Sequence, residues 1–134
     1  MIKIICTYVI TLIVFLAIDM VWLGAVARNL YKQKLGNILS ANVNWMVAIV
    51  FYIIYTLGIL FFAVNPSLKE MSWKVAMLNG AVFGSMCYAT YDLTNMATIA
   101  KWPLLIVIVD ITWGTLLTSS VSVITYFVAE RFVV

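Results

Sequence analysis

Three aspartates lie inside long apolar stretches of this sequence, where a carboxyl group is costly to bury. They are Asp19, Asp92 and Asp110, and no Lys, Arg or His lies within the same stretches to compensate their charge. A carboxyl group in such surroundings must be protonated, or be stabilised by a cation, a hydrogen-bond donor or water. The chemistry open to these residues is therefore proton transfer or the binding of a positively charged group.

The segment 88–95 concentrates polar groups around Asp92. It reads Tyr-Ala-Thr-Tyr-Asp-Leu-Thr-Asn and supplies an acid, an amide, two hydroxyls and two phenols within an apolar stretch. Asn95 lies one helical turn after Asp92 and can bond to it or to a shared ligand. The competing structural interpretation is that protonated aspartates bond to tyrosine and backbone groups and only lock the helices together.

The composition is that of a membrane protein. Of 134 residues, 66% are hydrophobic and 10% are charged, whereas a soluble domain carries about 25% charged residues. There is no basic cluster for nucleic acid. Histidine is absent, and Cys6 and Cys87 are not spaced as a metal motif, so we expect neither a metal site nor a cofactor. The two cysteines are predicted at different depths, which argues against a disulfide.

Four apolar segments predict an all-α protein with four transmembrane helices in an antiparallel bundle, a single domain over residues 1–134. The segments are 4–27, about 45–64, about 75–100 and 104 to about 128. At about 1.5 Å per residue each can span roughly 30 Å of hydrocarbon. The first is longer than the apolar core of a signal peptide and contains Asp19, which favours a span over a cleaved signal.

The connections carry the charged residues. Residues 28–44 have apolar side chains at roughly helical spacing among Lys and Arg, which fits either a short interfacial helix or a polar loop. Pro66 is expected to end the second span at the residues just before it. Residues 101–103 allow only a turn, so the third and fourth spans should be antiparallel neighbours. Four basic residues fall on each side, so the orientation of the termini stays open.

Helix arithmetic places the three aspartates in one layer. Asp19, Asp92 and Asp110 each lie eight or nine residues from a helix end on the same side of the membrane, a depth of about 12–13 Å. Tyr52 reaches nearly the same layer, and Trp22, Asn95 and Trp113 each lie one turn from an aspartate. We therefore predict a shared site formed by Asp19, Asp92, Asp110, Asn95, Tyr52, Tyr88, Tyr91, Trp22 and Trp113.

A pair of glycines marks a packing surface on the third span. Gly80 and Gly84 form a Gly-x-x-x-Gly pair, which lets a neighbouring helix approach closely. Tyr88 and Asn95 continue along the same face. The pattern predicts that the polar segment faces the helix bundle and not the lipid.

The combined pattern resembles a family of small bacterial membrane proteins classed as a domain of unknown function. The resemblance rests on Tyr91-Asp92-Leu93-Thr94-Asn95, Ala97-Thr98, Trp102-Pro103, Asp110 with Trp113-Gly114, and Asp19 with Trp22-Leu23-Gly24. It covers essentially the whole chain. It implies a four-helix protein of the bacterial inner membrane, and it implies no established activity. It also favours a lipid-related role, with a lipid-modifying enzyme as a partner.

Three functions follow as hypotheses. The first is a protein that binds or transports a cation, an amine or a lipid-like molecule, for which a homodimer would supply a fuller path. The second is an intramembrane enzyme acting on a lipid or isoprenoid by acid–base chemistry of the aspartates, or the membrane subunit of such an enzyme. The third is a structural subunit of a membrane complex.

Overall fold

The computed structural model describes residues 1–134, and every regular element is a helix. Helix α1 covers Ile2–Val21 and continues through a π-helical segment, Trp22–Val26, into α2, Ala27–Leu35. Helix α3 covers Trp45–Ile59 and continues through a second π-helical segment, Leu60–Val64. The predicted all-α class is confirmed.

The second half of the chain contains one short and two long helices. The π-helical segment after α3 leads directly into α4, Asn65–Lys69. Helix α5 covers Trp73–Thr98, and α6 covers Leu104–Phe132. The connection between α5 and α6 is a turn that includes Lys101 in a left-handed conformation, with φ 62°, so the two helices run antiparallel and pack along their length.

Three continuous helical stretches are long and apolar enough to cross a membrane. They are Ile2–Leu35, Trp45–Lys69 and Leu104–Phe132. Helix α5, at 26 residues, is long enough but is not among them; it carries polar residues such as Asp92 and Asn95 along its length. The chain is therefore a helical membrane protein with three spans supported by length and composition.

Pro66 does not end the second apolar helix, and the prediction that it would is wrong. The helical stretch continues to Lys69. Proline lacks an N–H, and its ring clashes with the carbonyl four residues earlier, here that of Phe62. The π-helical segment Leu60–Val64 lies just before the proline, and Asn79 Nδ2 of α5 donates a hydrogen bond to the Phe62 carbonyl at 3.1 Å. The wider π-helical turn gives the proline ring room, and the Asn79 amide replaces the missing donor to the Phe62 carbonyl.

A helix does follow the first span, and it covers one end of α5 and α6. Helix α2 ends at Leu35, which is buried with Trp102, Ile106 and Val107 at the α5–α6 turn. Residues 36–44 then form turns and irregular structure without a helix. Both interpretations of residues 28–44 are thus partly realised: a helix first, then an irregular connection that ends at Asn44, whose side chain caps α3.

Small residues bring α5 and α6 together. A Cβ on Gly84 would lie 2.2 Å from the Gly114 carbonyl oxygen, and one on Gly80 would lie 2.8 Å from the Thr118 carbonyl oxygen. Only glycine allows this approach, because backbone oxygens cannot move aside independently. Across the bundle, an apolar core joins α1, α3 and α6 through Phe15, Tyr55, Ile59, Leu60, Val64, Leu117 and Val121.

Candidate functional site

The Asp19 carboxylate joins three helices. Tyr52 of α3 donates its hydroxyl proton to Asp19 Oδ2 at 2.6 Å, and the indole Nε1 of Trp113 in α6 donates to Asp19 Oδ1 at 3.4 Å. The carboxylate is buried. Because both oxygens accept a hydrogen bond, the surrounding side chains fix the orientation of the acid.

Asp110 is held by a residue that the sequence did not single out. The Tyr31 hydroxyl, from α2, donates a hydrogen bond to Asp110 Oδ1. The acid is buried in α6. A signal for Tyr31 existed in its spacing, because Tyr31 and Leu35 are four residues apart on the face of α2 that packs against the α5–α6 turn. The bond ties the segment after the first span to the centre of the site.

Two tryptophans connect the surroundings of the two acids. The indole rings of Trp22 and Trp113 stack with their centroids 4.3 Å apart and an angle of 8° between their planes. Trp113 contacts Asp19 through its indole nitrogen and lies one helical turn after Asp110. The Trp22 indole nitrogen is buried beside Tyr31 without a hydrogen bond. The stacked pair thus brings an aromatic surface between the carboxylates.

Asp92 has an unusual environment. It is fully buried, and neither of its carboxylate oxygens has a hydrogen-bond partner. Asp110 and the buried indole of Trp102 adjoin it without completing a hydrogen bond. The hydrogen bond that the spacing allowed between Asn95 and Asp92 is absent. Asn95 is half-buried and lies beside Tyr91, which precedes it by one helical turn. Asp92 therefore faces a second carboxyl group, not an amide.

Asp19 and Asp110 line one cavity of about 290 Å³. Its walls also include all five of the predicted aromatic residues and three leucines, one each from the first π-helical segment, α2 and the connection after α2. The full lining is Asp19, Trp22, Leu23, Tyr31, Leu35, Leu39, Phe51, Tyr52, Tyr88, Tyr91, Trp102, Asp110 and Trp113. Asp92 and Asn95 lie outside this lining, and no three acidic or cysteine side chains are grouped closely enough to hold a metal ion.

Tyr88 and Tyr91 occupy different positions in the wall. The Tyr88 ring lies directly over Gly114, where an added Cβ would come within 2.2 Å of the ring. Tyr91 is 57% exposed, and its ring meets that of Trp102 edge to face at 6.1 Å. Trp102, which was not among the predicted site residues, is buried in the cavity wall. Tyr88 is thus a fixed wall, while Tyr91 lies at an open edge.

The cavity offers charge and aromatic surface but no fixed cation. No Lys or Arg side chain contributes to its lining. Carboxylates beside indole and phenol faces suit a positively charged organic group, and the tyrosine hydroxyls hold the acids in place.

Comparison with known proteins identifies a family. No curated protein and no solved structure shows a significant match to the chain. The sequence pattern of one family, described as "Predicted membrane protein (DUF2177)", matches residues 4–127. The match covers most of the 134 residues, and the chain therefore belongs to this family of membrane proteins of unknown function.

Proposed function

We propose that the protein binds a small organic cation, such as an amine, in the cavity between Asp19 and Asp110. The observation that carries the proposal is that two buried carboxylates line one cavity without any Lys or Arg. Two uncompensated carboxylates in apolar surroundings favour a cationic ligand. The stacked indoles of Trp22 and Trp113 supply faces that attract such a cation, by about 0.5–2 kcal/mol per contact.

An organic cation suits the cavity better than a metal ion. Hard divalent cations require six or more oxygen ligands in a compact shell, and the acids are not grouped in that way. Most of the cavity lining is aromatic or aliphatic. A ligand with alkyl groups around its charge would contact these faces and still reach a carboxylate.

We propose further that α5 is a fourth span and that the protein resides in the bacterial inner membrane. Helix α6 is apolar and long enough to cross, and α5 runs antiparallel to it along its length. A 26-residue helix is about 39 Å long, more than the roughly 30 Å of hydrocarbon. Cysteines placed at positions 71 and 100 should then react with an impermeant thiol reagent from opposite sides of the membrane.

The binding proposal is tested with small amines on the purified protein. Propylammonium and tetramethylammonium should change the tryptophan fluorescence, because Trp22 and Trp113 lie in the cavity wall, whereas neutral propanol should not. Asp19→Asn and Asp110→Asn should each weaken amine binding at least tenfold. Glu70→Gln, which removes an exposed acid outside the cavity, is the matched control. An unchanged affinity in both cavity variants would overturn the proposal.

A second candidate function is acid–base catalysis on a lipid or isoprenoid. The observation that favours it is the contact between Asp92 and Asp110, two buried carboxyl groups side by side. When one of two such adjacent acids is protonated and the other is ionised, the first can deliver a proton to a substrate and the second can accept one. Comparing lipid extracts from cells with and without the gene by mass spectrometry separates this function from binding alone, because only a catalyst changes the lipid structures.

A further inference from the structure

Three cavities of the protein follow one another along α3 and α5, each sharing wall residues with the next, and we call this series the path. The cavity with Asp19 and Asp110 shares Phe51, Tyr88 and Tyr91 with a second cavity of about 370 Å³. The second cavity shares Cys87 with a groove of about 570 Å³ on the outer surface of the helices. The path therefore runs from the buried carboxylates to a lipid-facing groove.

The chemistry of the path changes from one end to the other. The acids lie at one end, and the middle cavity is lined by Phe51, Tyr55, Cys87, Tyr88 and Tyr91. The far groove is lined mainly by Phe62, Leu78, Val82, Phe83 and Met86. It also contains Asn79 and Thr90, but their side chains donate to the backbone carbonyls of Phe62 and Met86. The groove thus offers apolar surface with its polar groups already paired.

Aromatic rings form the floor of the groove. The Phe83 ring rests on Gly58, where an added Cβ would lie 2.5 Å from the ring. Phe83 stacks with Tyr55 at 5.4 Å and with Phe62 at 5.2 Å. On α5 the path extends from Tyr91 to Leu78, thirteen residues, or about 20 Å along the helix axis. An elongated apolar chain fits this length.

We propose that the natural ligand is a single-chain amphiphile with a cationic amine head and an alkyl or prenyl tail. The head occupies the cavity of Asp19 and Asp110, and the tail follows the middle cavity into the groove of Phe62, Val82 and Met86. The inference rests on the proposed function, because it assigns the cation to the aspartate cavity. The charge of the two aspartates favours a cationic head, and the apolar cavities that adjoin the aspartate cavity favour a tail.

The test must measure where the tail lies, because the affinity of the ligand gives little information about the groove. Lipid tails are as apolar as the groove, so the groove adds little free energy to a chain that leaves the bilayer. We therefore choose a dodecylamine that carries a diazirine at the far end of its chain, and dodecanol with the same diazirine as the uncharged control. Protein in lipid nanodiscs is photolysed with each probe, and the labelled residues are mapped by peptide mass spectrometry.

The amine probe is expected to label residues of the far groove, and propylammonium should reduce this labelling at least fivefold. The alcohol probe should label lipid-facing residues without preference. Val82→Phe narrows the groove and should redirect the label, while Leu93→Phe, a similar change at an exposed position of the same helix, should leave it in place.

Three results would overturn the inference, and they separate it from the proposed function. If propylammonium changes the tryptophan fluorescence but the amine label is scattered, the cavity binds cations without a tail in the groove. If both probes label the groove equally and propylammonium does not compete, the groove takes chains without a cationic head. If propylammonium has no effect on fluorescence or labelling, the proposed function itself fails.

Discussion

Tyr31 donates a hydrogen bond to Asp110 across 79 residues of sequence. This bond ties α2, the helix that follows the first span, to α6 near the centre of the candidate site. Leu35 packs one turn further along α2 against Trp102 and Ile106. Helix α2 therefore closes the cavity on the side of the α5–α6 turn, held by the hydrogen bond of Tyr31 and the packing of Leu35.

Tyr31→Phe should lower the free energy of unfolding by about 1–2 kcal/mol, because it removes a donor to a buried carboxyl group. Thermal unfolding in detergent measures the loss, and faster hydrogen exchange of the α2 amides locates it. Tyr8→Phe is the matched control, since its hydroxyl donates only to the Ile53 carbonyl at 3.2 Å. Equal losses of unfolding free energy in the two variants would mean that the bond to Asp110 stabilises the protein no more than the bond of Tyr8 does.

The helices were predictable because apolar runs of about 20 residues satisfy their backbone groups in a membrane by forming helices. The predicted segments 4–27 and 104–128 lie within the observed helices Ile2–Leu35 and Leu104–Phe132. Helix arithmetic also placed Asp19 and Asp110 at one depth, and both line the same cavity. Depth depends only on the rise per residue, which is nearly constant along a helix.

The direction in which each side chain points was less predictable. A π-helical segment, Trp22–Val26, turns the following residues relative to an ideal helix, so the spacing showed that Tyr31 and Leu35 share a face but not that this face points toward Asp110. The rotation of α5 is set by the contact of Gly80 and Gly84 with α6. That contact turns Asp92 toward Asp110.

Gly84→Ala should destabilise the protein by about 1–3 kcal/mol, the usual cost of overpacking. The added methyl would lie 2.2 Å from the Gly114 carbonyl oxygen and 2.6 Å from Thr118 Oγ1, so α5 and α6 would have to separate. Gly24→Ala meets no atom within 4 Å and should cause no loss, since alanine is the better helix former. Melting temperatures of the two variants in one detergent provide the comparison. A Gly84→Ala protein as stable as Gly24→Ala would show that the helices tolerate separation.

Asn79 and Pro66 should be energetically coupled. Asn79→Leu removes the donor to the Phe62 carbonyl and should cost about 0.5–1.5 kcal/mol. In a Pro66→Ala background the restored N–H can bond to the same carbonyl, so the loss of Asn79 should cost much less. A double-mutant cycle of unfolding free energies measures the difference. Additive effects would show that the amide does not compensate for the proline.

Substitutions of Asp92 by Asn and Leu distinguish a structural role of this residue from a functional one. An aspartate that only locks helices through hydrogen bonds should tolerate Asn better than Leu, because Asn keeps hydrogen-bonding groups. The structure changes this expectation, since the Asp92 oxygens have no partner to lose.

Asp92→Leu should therefore melt at a temperature equal to or above that of Asp92→Asn, because leucine removes unpartnered buried polar atoms and the amide retains them. Both variants should lose any proton-dependent lipid modification, since neither carries a titratable group. Thermal unfolding and the lipid extract are measured on the same two variants. A melting temperature lower for Leu than for Asn would show that the carboxyl group has a partner in the membrane, and full activity in a folded Asp92→Asn protein would remove Asp92 from the acid–base chemistry.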